Sequence, residues 1–368
     1  MSTFATQEGT RRYAARFAGK AGEGHFREAP AGENLVLSSI GLGTYLGEPD
    51  AAADRGYTEA VVAAVRGGVN VLDSAINYRF QRSERSIGAA LAQLSTAGFS
   101  RDEIILCTKG GYLTPDGEMP ADPREYFFRE YIQPGILKPE DVVGGSHSMA
   151  PRFLENQLER SLRNLSVSCI DVYYLHNPET QLSAVLRATF RQRVRAAFEF
   201  LESAVVAGKI RWYGMATWNA FRQPAQAPDF ISLTEVVAVA REVAGESHHF
   251  RFVQLPYNLA MPEAMVAANQ PFDGKAVPMI EAAHQFGVTL IASASLLQAQ
   301  LTRGLPSFVA EALGQESDLH RALQFVRSSP GFTTALVGMG RPEHVAENLK
   351  LVGVSLAGRE QFLKLFKQ

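Results

Sequence analysis

The chain has 368 residues, of which 46% are hydrophobic and 20% are charged, and its formal net charge is -2. This composition is typical of a globular protein with a large core, and the near-zero net charge argues against a nucleic acid or an anionic membrane as a partner. No apolar run approaches the roughly 20 residues of a membrane span and the first residues lack a secretory signal pattern, so a cytoplasmic protein is expected.

A short apolar run, a turn and an amphipathic stretch of helical length recur along the chain. The runs predicted to be strands are residues 37–43, 70–75, 104–109, 169–176, 210–217, 251–258, 288–295 and 333–340. They are apolar on both faces, as in a parallel sheet covered by helices. Eight such units favour a closed (β/α)8 TIM barrel, with residues 37–368 as one domain. An open doubly wound sheet is the alternative, but "GLGTYLGEPD" after the first run lacks the G-x-G-x-x-G spacing of a nucleotide-binding turn.

Two segments interrupt this pattern. Residues 1–36 are rich in Gly, Ala and charged residues, and they are expected to form an N-terminal extension, either an arm or a plug over the bottom of the barrel. Residues 110–148 form a loop after the third strand that is longer than a strand-to-helix connection requires. The aromatic residues of this loop are Tyr112, Tyr126, Phe127, Phe128 and Tyr131. Since a disordered linker rarely holds so many aromatics, we expect the loop to fold over the barrel mouth and to wall a substrate pocket.

Polar side chains stand where consecutive strands end. Asp73 ends the second strand with Tyr78 shortly after it, Lys109 ends the third strand, and His176 ends the fourth. The carboxyl ends of barrel strands share one mouth, so these side chains are expected to converge, with Asp73 holding a charged Lys109. An ammonium beside Tyr78 would lower the phenol pKa and make Tyr78 a proton donor at neutral pH. His176 could then donate a hydrogen bond to the same substrate oxygen.

The order of the motifs carries a resemblance to a known family. The segments "IGLGTY", "NVLDSAINY", "SERSIGAAL", "CTKGG", "DVYYLHNPE", "GMATWN", "FVQLPYN" and "GMGRPEHVAENL" are similar to the successive motifs of the aldo-keto reductase superfamily, over roughly residues 35 to 352. The resemblance implies a (β/α)8 barrel that binds a nicotinamide nucleotide without a Rossmann domain. It implies hydride transfer between the nicotinamide and a carbonyl carbon. The expected substrate is an aldehyde, a ketone or a sugar-like alcohol, and the sugar-like alcohol is suggested by the length of the aromatic loop. Tyr78 would be the general acid/base, Asp73 and Lys109 would tune it, and His176 would orient the carbonyl.

The resemblance also implies a set of nucleotide contacts. They are Thr44, Asp73, Thr217, Gln254, Ser293, Leu296, Gly338, Met339, Gly340, Arg341, His344, Glu347 and Asn348. The segment "GMGRPEHVAENL" is predicted to open a helix whose N-terminus suits a phosphate. Arg341 could pair with a ribose phosphate, which favours NADPH over NADH. His344 stands where the family often has Arg, which weakens this preference, and NADPH is still expected more than NADH.

The chain departs from the family pattern at two places near the nicotinamide. Ala216 and Thr217 replace the usual Ser-Asn pair, and Ser293 stands where a stacking Tyr is common. Trp218 could supply the missing aromatic surface. These departures put the affinity for the nucleotide in doubt more than the chemistry.

Two other functions stay open at this point. A barrel of this type could bind the nucleotide as a redox-sensing module with little turnover, or Lys109 could act as the Schiff-base nucleophile of a lyase or isomerase. No metal site is expected, because His248 and His249 are adjacent and point apart. Cys107 and Cys169 lie in apolar runs and are expected to be buried thiols.

Overall fold

Strands and helices alternate along most of the chain in the computed structural model, which describes residues 2–31 and 33–366. The strands in these ranges are β1 Phe26–Glu28, β2 Val36–Ser38, β3 Ile40–Gly43, β4 Val71–Asp73, β5 Ile105–Gly110, β6 Ile170–His176, β7 Ile210–Ala216, β8 Phe250–Pro256, β9 Ala268–Phe272, β10 Lys275–Pro278, β11 Thr289–Ser293 and β12 Phe332–Gly338. The helices are α1 Gln7–Ala15, α2 Ala51–Arg66, α3 Arg82–Thr96, α4 Pro123–Phe127, α5 Pro151–Leu165, α6 Arg187–Val206, α7 Leu233–Ala244, α8 Glu263–Val266, α9 Met279–Gln285, α10 Ser307–Leu313, α11 Asp318–Ser328, α12 Pro342–Leu349 and α13 Arg359–Leu363. None of these helices is both long and apolar enough to span a membrane.

Eight of the strands pair in parallel and close into a barrel, in the order β11-β12-β3-β4-β5-β6-β7-β8. The predicted (β/α)8 TIM barrel is therefore confirmed. The predicted strands agree with the barrel strands to within a few residues at their ends, except for the first one. Residues 37–43 divide at Ser39 between the short strand β2 and the barrel strand β3. Both pieces are buried and apolar, so the pattern of hydrophobic residues could not reveal the break.

Amphipathic helices cover the outside of the barrel, and α2 shows why they form. The side chain of Asp50 caps its N-terminus by accepting a hydrogen bond from the Ala53 amide at 2.8 Å. Its buried residues Tyr57, Ala60, Val61, Ala64 and Val65 recur at the spacing of one helix face. This face packs against the barrel, so α2 is held at a fixed distance from the strand ends.

The N-terminal segment closes the bottom of the barrel. Strands β1 and β2 form an antiparallel hairpin, and Ala5 and Leu37 join the apolar cluster inside the barrel. The Ala5 amide donates to Oδ1 of Asp171 at 2.7 Å, and the Ala31 amide donates to Oγ1 of Thr289 at 3.0 Å. The sequence left open whether residues 1–36 form an arm or a plug over the bottom of the barrel, and these contacts match the plug.

The long loop after β5 does not form the expected wall of the cavity. It folds into α4 and a π-helical turn over Phe128–Ile132, and Tyr131 is buried with Leu137 against Phe153 of α5. Phe128 is 57% exposed. Of the five aromatics in this loop, Tyr112 lines the cavity, while the others pack on the loop itself or face solvent. The expectation that the aromatic loop walls the pocket was therefore wrong for all but Tyr112, because the loop has a small core of its own.

A second hairpin, between β9 and β10, was not expected from the sequence. Asp273 and Gly274 form its turn, and both have a positive φ, of 48° and 73°. An Asp-Gly pair favours this type of tight hairpin, so the signal was present in "FDGKAV".

Candidate active site

A cavity of about 1150 Å³ opens at the carboxyl end of the barrel. The residues that end the strands on this side and line the cavity are Gly43, Asp73, His176, Ala216, Ser293 and Gly338. They come from six of the eight strands, because parallel strands in a closed barrel all deliver their last residues to the same mouth. The loops that follow these strands complete the walls.

A buried ion pair lies at the bottom of this cavity. Nζ of Lys109 lies 2.5 Å from Oδ1 of Asp73 and donates a second hydrogen bond to the Ser74 carbonyl at 2.7 Å. Nε2 of Gln254 donates to the other carboxylate oxygen, Oδ2 of Asp73, at 2.8 Å. Burial disfavours the charged lysine, but the attraction of Asp73 and Tyr78 outweighs it and raises the Lys109 pKa. The pair expected from the sequence is present, and it keeps Lys109 charged.

Tyr78 lies on the turn after β4, beside this pair. Nζ of Lys109 is 5.0 Å from the centre of the Tyr78 ring. Burial raises the pKa of Tyr78, and the opposing effect of the Lys109 ammonium is smaller. The expected lowering of the Tyr78 pKa was therefore wrong in its net direction, because desolvation of the phenolate outweighs the nearby charge. The phenol is protonated at neutral pH, as a proton donor must be.

His176 faces Tyr78 across the cavity, with 5.8 Å between the ring centres. Its Nδ1 is buried and has no hydrogen-bond partner among the described residues. Burial, with a further contribution from the Lys109 charge, holds the His176 pKa well below its usual value. The imidazole is therefore neutral. Its backbone is held by His147, whose Nε2 lies 2.8 Å from the His176 carbonyl.

Four further buried polar atoms on the cavity wall are unpaired within residues 2–31 and 33–366. They are Oδ1 of Asn77, Oγ1 of Thr217, Oγ of Ser295 and Oδ1 of Asn348. A buried polar atom without a partner costs free energy, so such atoms are rare unless a ligand or solvent satisfies them. Of these four residues, Thr217 and Asn348 belong to those implied to contact a nucleotide, and their donor and acceptor chemistry fits an amide and an adenine.

The structure brings nearly all of the implied nucleotide contacts to the cavity. Those that line it are Thr44, Asp73, Thr217, Gln254, Ser293, Leu296, Gly338, Gly340, Arg341, His344, Glu347 and Asn348. Met339 does not, because its side chain is fully buried in the core behind β12. Strand alternation explains this difference, since consecutive residues near a strand end point to opposite faces.

The end of the cavity beside α12 carries the charged groups. Glu347 pairs with Lys350 at 2.6 Å and lies 3.3 Å from Nε2 of His320. Arg341 and His344 are exposed, and neither side chain makes a hydrogen bond in the described part of the chain. These two side chains are therefore free to meet a phosphate.

Several cavity residues were not singled out as site residues from the sequence. They are Tyr45, Leu46, Asn77, Tyr112, Asn177 and Trp218. All lie within a few residues of a strand end, and this position was the available signal. Trp218, which was considered as a replacement aromatic, is 46% exposed and does line the cavity.

The remaining histidines and the cysteines lie outside the cavity. Among the residues described, no group of three or more His, Cys, Asp or Glu side chains is placed to hold a metal ion. His249 pairs with Glu202, and His248 contacts Arg251. Cys107 and Cys169 are buried free thiols.

Comparison with curated proteins finds aldo-keto reductases. The "Aldo-keto reductase yakc [NADP(+)]" of Schizosaccharomyces pombe is 29% identical over 155 residues, which are 42% of this chain and 34% of that protein. The "NADH-specific methylglyoxal reductase" of Escherichia coli is 26% identical over 148 residues, or 39% of each chain. The matched segments thus span less than half of the length of these relatives.

Solved structures show the same fold over nearly the whole chain. The aldo/keto reductase of Klebsiella pneumoniae in complex with NADP and acetate superimposes with a TM-score of 0.60 and 22% identity, covering 92% of this chain and 94% of that chain. The glycerol dehydrogenase of Gluconobacter oxydans gives a TM-score of 0.63 and 20% identity, with coverage of 93% and 94%. The family model described as "Aldo/keto reductase family" matches residues 39–361. Since this match covers most of the sequence, the chain belongs to the aldo/keto reductase family.

Proposed function

We propose that the protein is an NAD(P)-dependent oxidoreductase that interconverts a carbonyl compound and its alcohol, with Tyr78 as the general acid/base. The observation that carries the proposal is the position of Lys109, whose ammonium lies between the Asp73 carboxylate and the Tyr78 ring at the bottom of the cavity. A bound nicotinamide would supply the hydride.

The residues of the chain account for the proton. Tyr78 holds it on its phenol oxygen and releases it to the substrate oxygen as negative charge develops there. Lys109 stabilises the phenolate that remains, and Asp73 and Gln254 keep Lys109 charged and in place. His176 is neutral and lines the cavity beside Tyr78, so its single N–H can donate to the same substrate oxygen. The pairing of Lys109 with Asp73 also disfavours its use as a Schiff-base nucleophile, which requires a neutral amine.

The nucleotide would lie along the exits of β7, β8 and β12. In this position Thr217 and Gln254 would contact the carboxamide and Asn348 would contact the adenine end, and the presence of all three on the cavity wall supports it. The exposed Arg341 supports a preference for NADPH over NADH, since a guanidinium matches a phosphate. The names of the relatives support both nucleotides, because the yeast protein is named for NADP(+) and the Escherichia coli protein is named NADH-specific.

The cavity next to Tyr78 and His176 indicates a neutral, polar substrate. Tyr45 and Tyr112 pack edge-on against these two rings, at 5.0 Å from Tyr78 and 5.1 Å from His176. Trp218 and the side-chain amides of Asn77 and Asn177 complete this part of the wall. Of the described lining residues, Arg341 is the one Lys or Arg, and it lies in the segment after β12. The ammonium of Lys109 beside Tyr78 is already paired with Asp73. Aromatic faces with amides and no unpaired cation therefore suit an aldehyde, a ketone or a sugar-like alcohol better than a carboxylate.

Replacement of Tyr78 by Phe tests the proposal. We expect Tyr78→Phe to lower turnover of carbonyl substrates roughly 100-fold or more, the effect of losing a general acid. Nucleotide affinity should be nearly unchanged, because the ring is kept. Steady-state rates with a panel of neutral carbonyls measure the first effect, and titration with NADPH and NADH while following Trp fluorescence measures the second.

The fluorescence signal has an internal control. The two tryptophans are Trp218 on the cavity wall and Trp212 inside the barrel, so Trp218→Phe should remove most of the response. A lower Kd for NADPH than for NADH would support the preference stated above. Near-normal turnover in Tyr78→Phe would exclude Tyr78 as the acid, and nucleotide binding without turnover in the native protein would favour a redox-sensing module.

A further inference from the structure

The three residues that follow Tyr78 have an unusual backbone. Arg79, Phe80 and Gln81 have φ values of 50°, 55° and 72°, all in the left-handed region. Residues other than glycine rarely adopt this conformation, and a run of three persists only where surrounding contacts hold it. The turn that carries Tyr78 is therefore held from outside rather than by its own backbone preference.

Arg79 makes contacts that can hold this turn. Its side chain is 1% exposed and pairs with the carboxylate of Asp54 in α2. Its Nε donates to the Glu48 carbonyl at 2.9 Å, and its Nη2 donates to the Asp50 carbonyl at 3.3 Å. The guanidinium also lies over the Tyr57 ring, 5.2 Å from its centre. One buried cation thus connects the Tyr78 turn to the segment that joins β3 to α2.

That segment, residues 45–50, forms one wall of the cavity. Tyr45 packs edge-on against Tyr78 at 5.0 Å. Leu46 is held through its carbonyl, which accepts from Tyr57 Oη at 2.6 Å, and its side chain lies beside Gly338 at the exit of β12. The segment therefore contacts the proposed acid on one side and the proposed nucleotide groove on the other. Arg79 lies beneath the segment, outside the cavity lining, so it would not touch substrate or nucleotide.

We propose that Arg79 is a positioning residue that fixes residues 45–50 against the Tyr78 turn. Through Tyr45 it holds the phenol in place, and through Leu46 it shapes the groove for the nucleotide. The consequence for nucleotide binding rests on the proposed function, whereas the connection between the two segments does not. Arg79 carries out this role as an arginine, because its acceptors are divided between two nitrogens of one planar group. Its Nε donates to the Glu48 carbonyl, while its Nη2 donates to the Asp50 carbonyl and pairs with the Asp54 carboxylate.

Two variants of Arg79 test the proposal. Arg79→Lys keeps the charge and the β-carbon but cannot donate to three acceptors spread over residues 48–54. Arg79→Gly suits the left-handed backbone, so any loss it causes comes from the missing side chain or from added freedom of the turn. If both variants show the same loss, the loss comes from the missing arginine side chain and not from a change in the backbone of the turn.

Arg82 offers a matched control. It binds the same carboxylate, with its Nη2 2.5 Å from Oδ2 of Asp54, and its Nη1 donates to the Gly117 carbonyl at 3.2 Å. It makes no hydrogen bond to residues 45–50 in the described structure. Arg82→Gln should therefore lower the melting temperature without changing nucleotide affinity or turnover.

The measurements are amide hydrogen exchange of residues 45–50 without nucleotide, and nucleotide Kd and kcat well below the melting temperature. In both Arg79 variants we expect faster exchange at 45–50 and a nucleotide Kd raised roughly tenfold, as when the binding-competent arrangement falls to about one tenth of the population. Unchanged exchange at 45–50 would overturn the connection itself. Faster exchange with an unchanged Kd and kcat would overturn the positioning role.

The same titrations separate this inference from the proposed function. Binding of neither NADPH nor NADH by the native protein would overturn the proposed function and the nucleotide consequence together. Native binding with equal affinity in both Arg79 variants would overturn this inference alone.

Discussion

The polar side chains at the two ends of strand β6 differ in their hydrogen bonding. Asp171, near the start of the strand, is fully buried, and its carboxylate accepts from the Ala5 amide at 2.7 Å, the Leu106 amide at 2.8 Å and Arg101 at 2.6 Å. His176, at the end of the strand, leaves Nδ1 buried without a partner in the part of the chain described. The carboxylate at one end of the strand is paired within the chain through both of its oxygens, whereas the imidazole at the other end has a nitrogen without a partner in the described residues.

The same contrast extends to the neighbouring strands. At the bottom, Asn70 bonds to the backbone of β2 through both its amide oxygen and its nitrogen, and Glu103 accepts from two arginines. At the top, Thr217 and Asn348 each have an unpaired oxygen within the described residues. Nε of Arg27 and Nε of Arg101, at the bottom, are also unpaired, but each of these guanidinium groups donates to two backbone carbonyls. The difference supports a division between polar groups that stabilise the fold and those proposed to bind a nucleotide.

The largest expected effect is at Asp171, and it tests the contrast between the two ends of the barrel. Asp171→Asn replaces an acceptor for three donors by an amide that brings donors of its own, and it leaves Arg101 without its charge partner. We expect the free energy of unfolding to fall by about 3 kcal/mol, the lower range for breaking a buried ion pair. Denaturant unfolding measures the loss. Nucleotide Kd and kcat of the folded variant should match the native values, and a change in either would contradict the separation of the two ends.

Histidines that are buried and paired should behave alike at both ends. Burial lowers the pKa of His25, at the bottom, and of His147, at the top, to about 4. Each folded-state pKa lies below the unfolded value near 6.5, so the stability is present above pH 6.5 and is lost as the pH falls toward 4. At pH 5 each histidine should cost about 2 kcal/mol relative to neutral pH.

The pH dependence is measured by denaturant unfolding between pH 7 and pH 5. His25→Gln and His147→Gln should each remove a similar part of the loss. A variant that leaves the pH dependence intact would show that its histidine is already protonated, or exposed, in the folded protein.

The smallest effect is expected at Thr217, where nucleotide affinity should change and stability should not fall. Thr217→Val keeps the shape and removes a hydroxyl that has no partner in the described residues. The free energy of unfolding should stay the same or rise slightly, since no hydrogen bond within the protein is lost. Nucleotide Kd should rise roughly fivefold, which corresponds to about 1 kcal/mol for one hydrogen bond. Lower stability with unchanged nucleotide affinity would place Thr217 with the structural polar groups instead.

Local patterns explain which parts of the site could be recognised beforehand. Asp73 and Lys109 each follow an apolar run, and a parallel barrel brings such positions together regardless of the loops between them. The loop after β5 shows the limit of this reasoning. Its aromatics are indistinguishable in sequence from those of a cavity wall, and their burial against Phe153 of α5 depends on a contact with another element.

The direction of the Tyr78 pKa shift shows a second limit. The charge of Lys109 was visible as a residue type, but the extent of burial was not, and burial is the larger of the two effects. The role inferred for Arg79 has the same origin. Its acceptors lie 25 to 31 residues earlier in the chain, and only the packing of α2 against the Tyr78 turn brings them within reach.

The amino-acid sequence alone determined the eight strand–helix units and the polar residues at the strand ends, because strand periodicity and strand-end positions are local properties. The tertiary structure alone decided the plug at the bottom, the packing of the long loop, the net shift of the Tyr78 pKa and the reach of Arg79. Each of these depends on desolvation or on contacts between residues far apart in the chain, and neither is encoded in a short stretch of sequence.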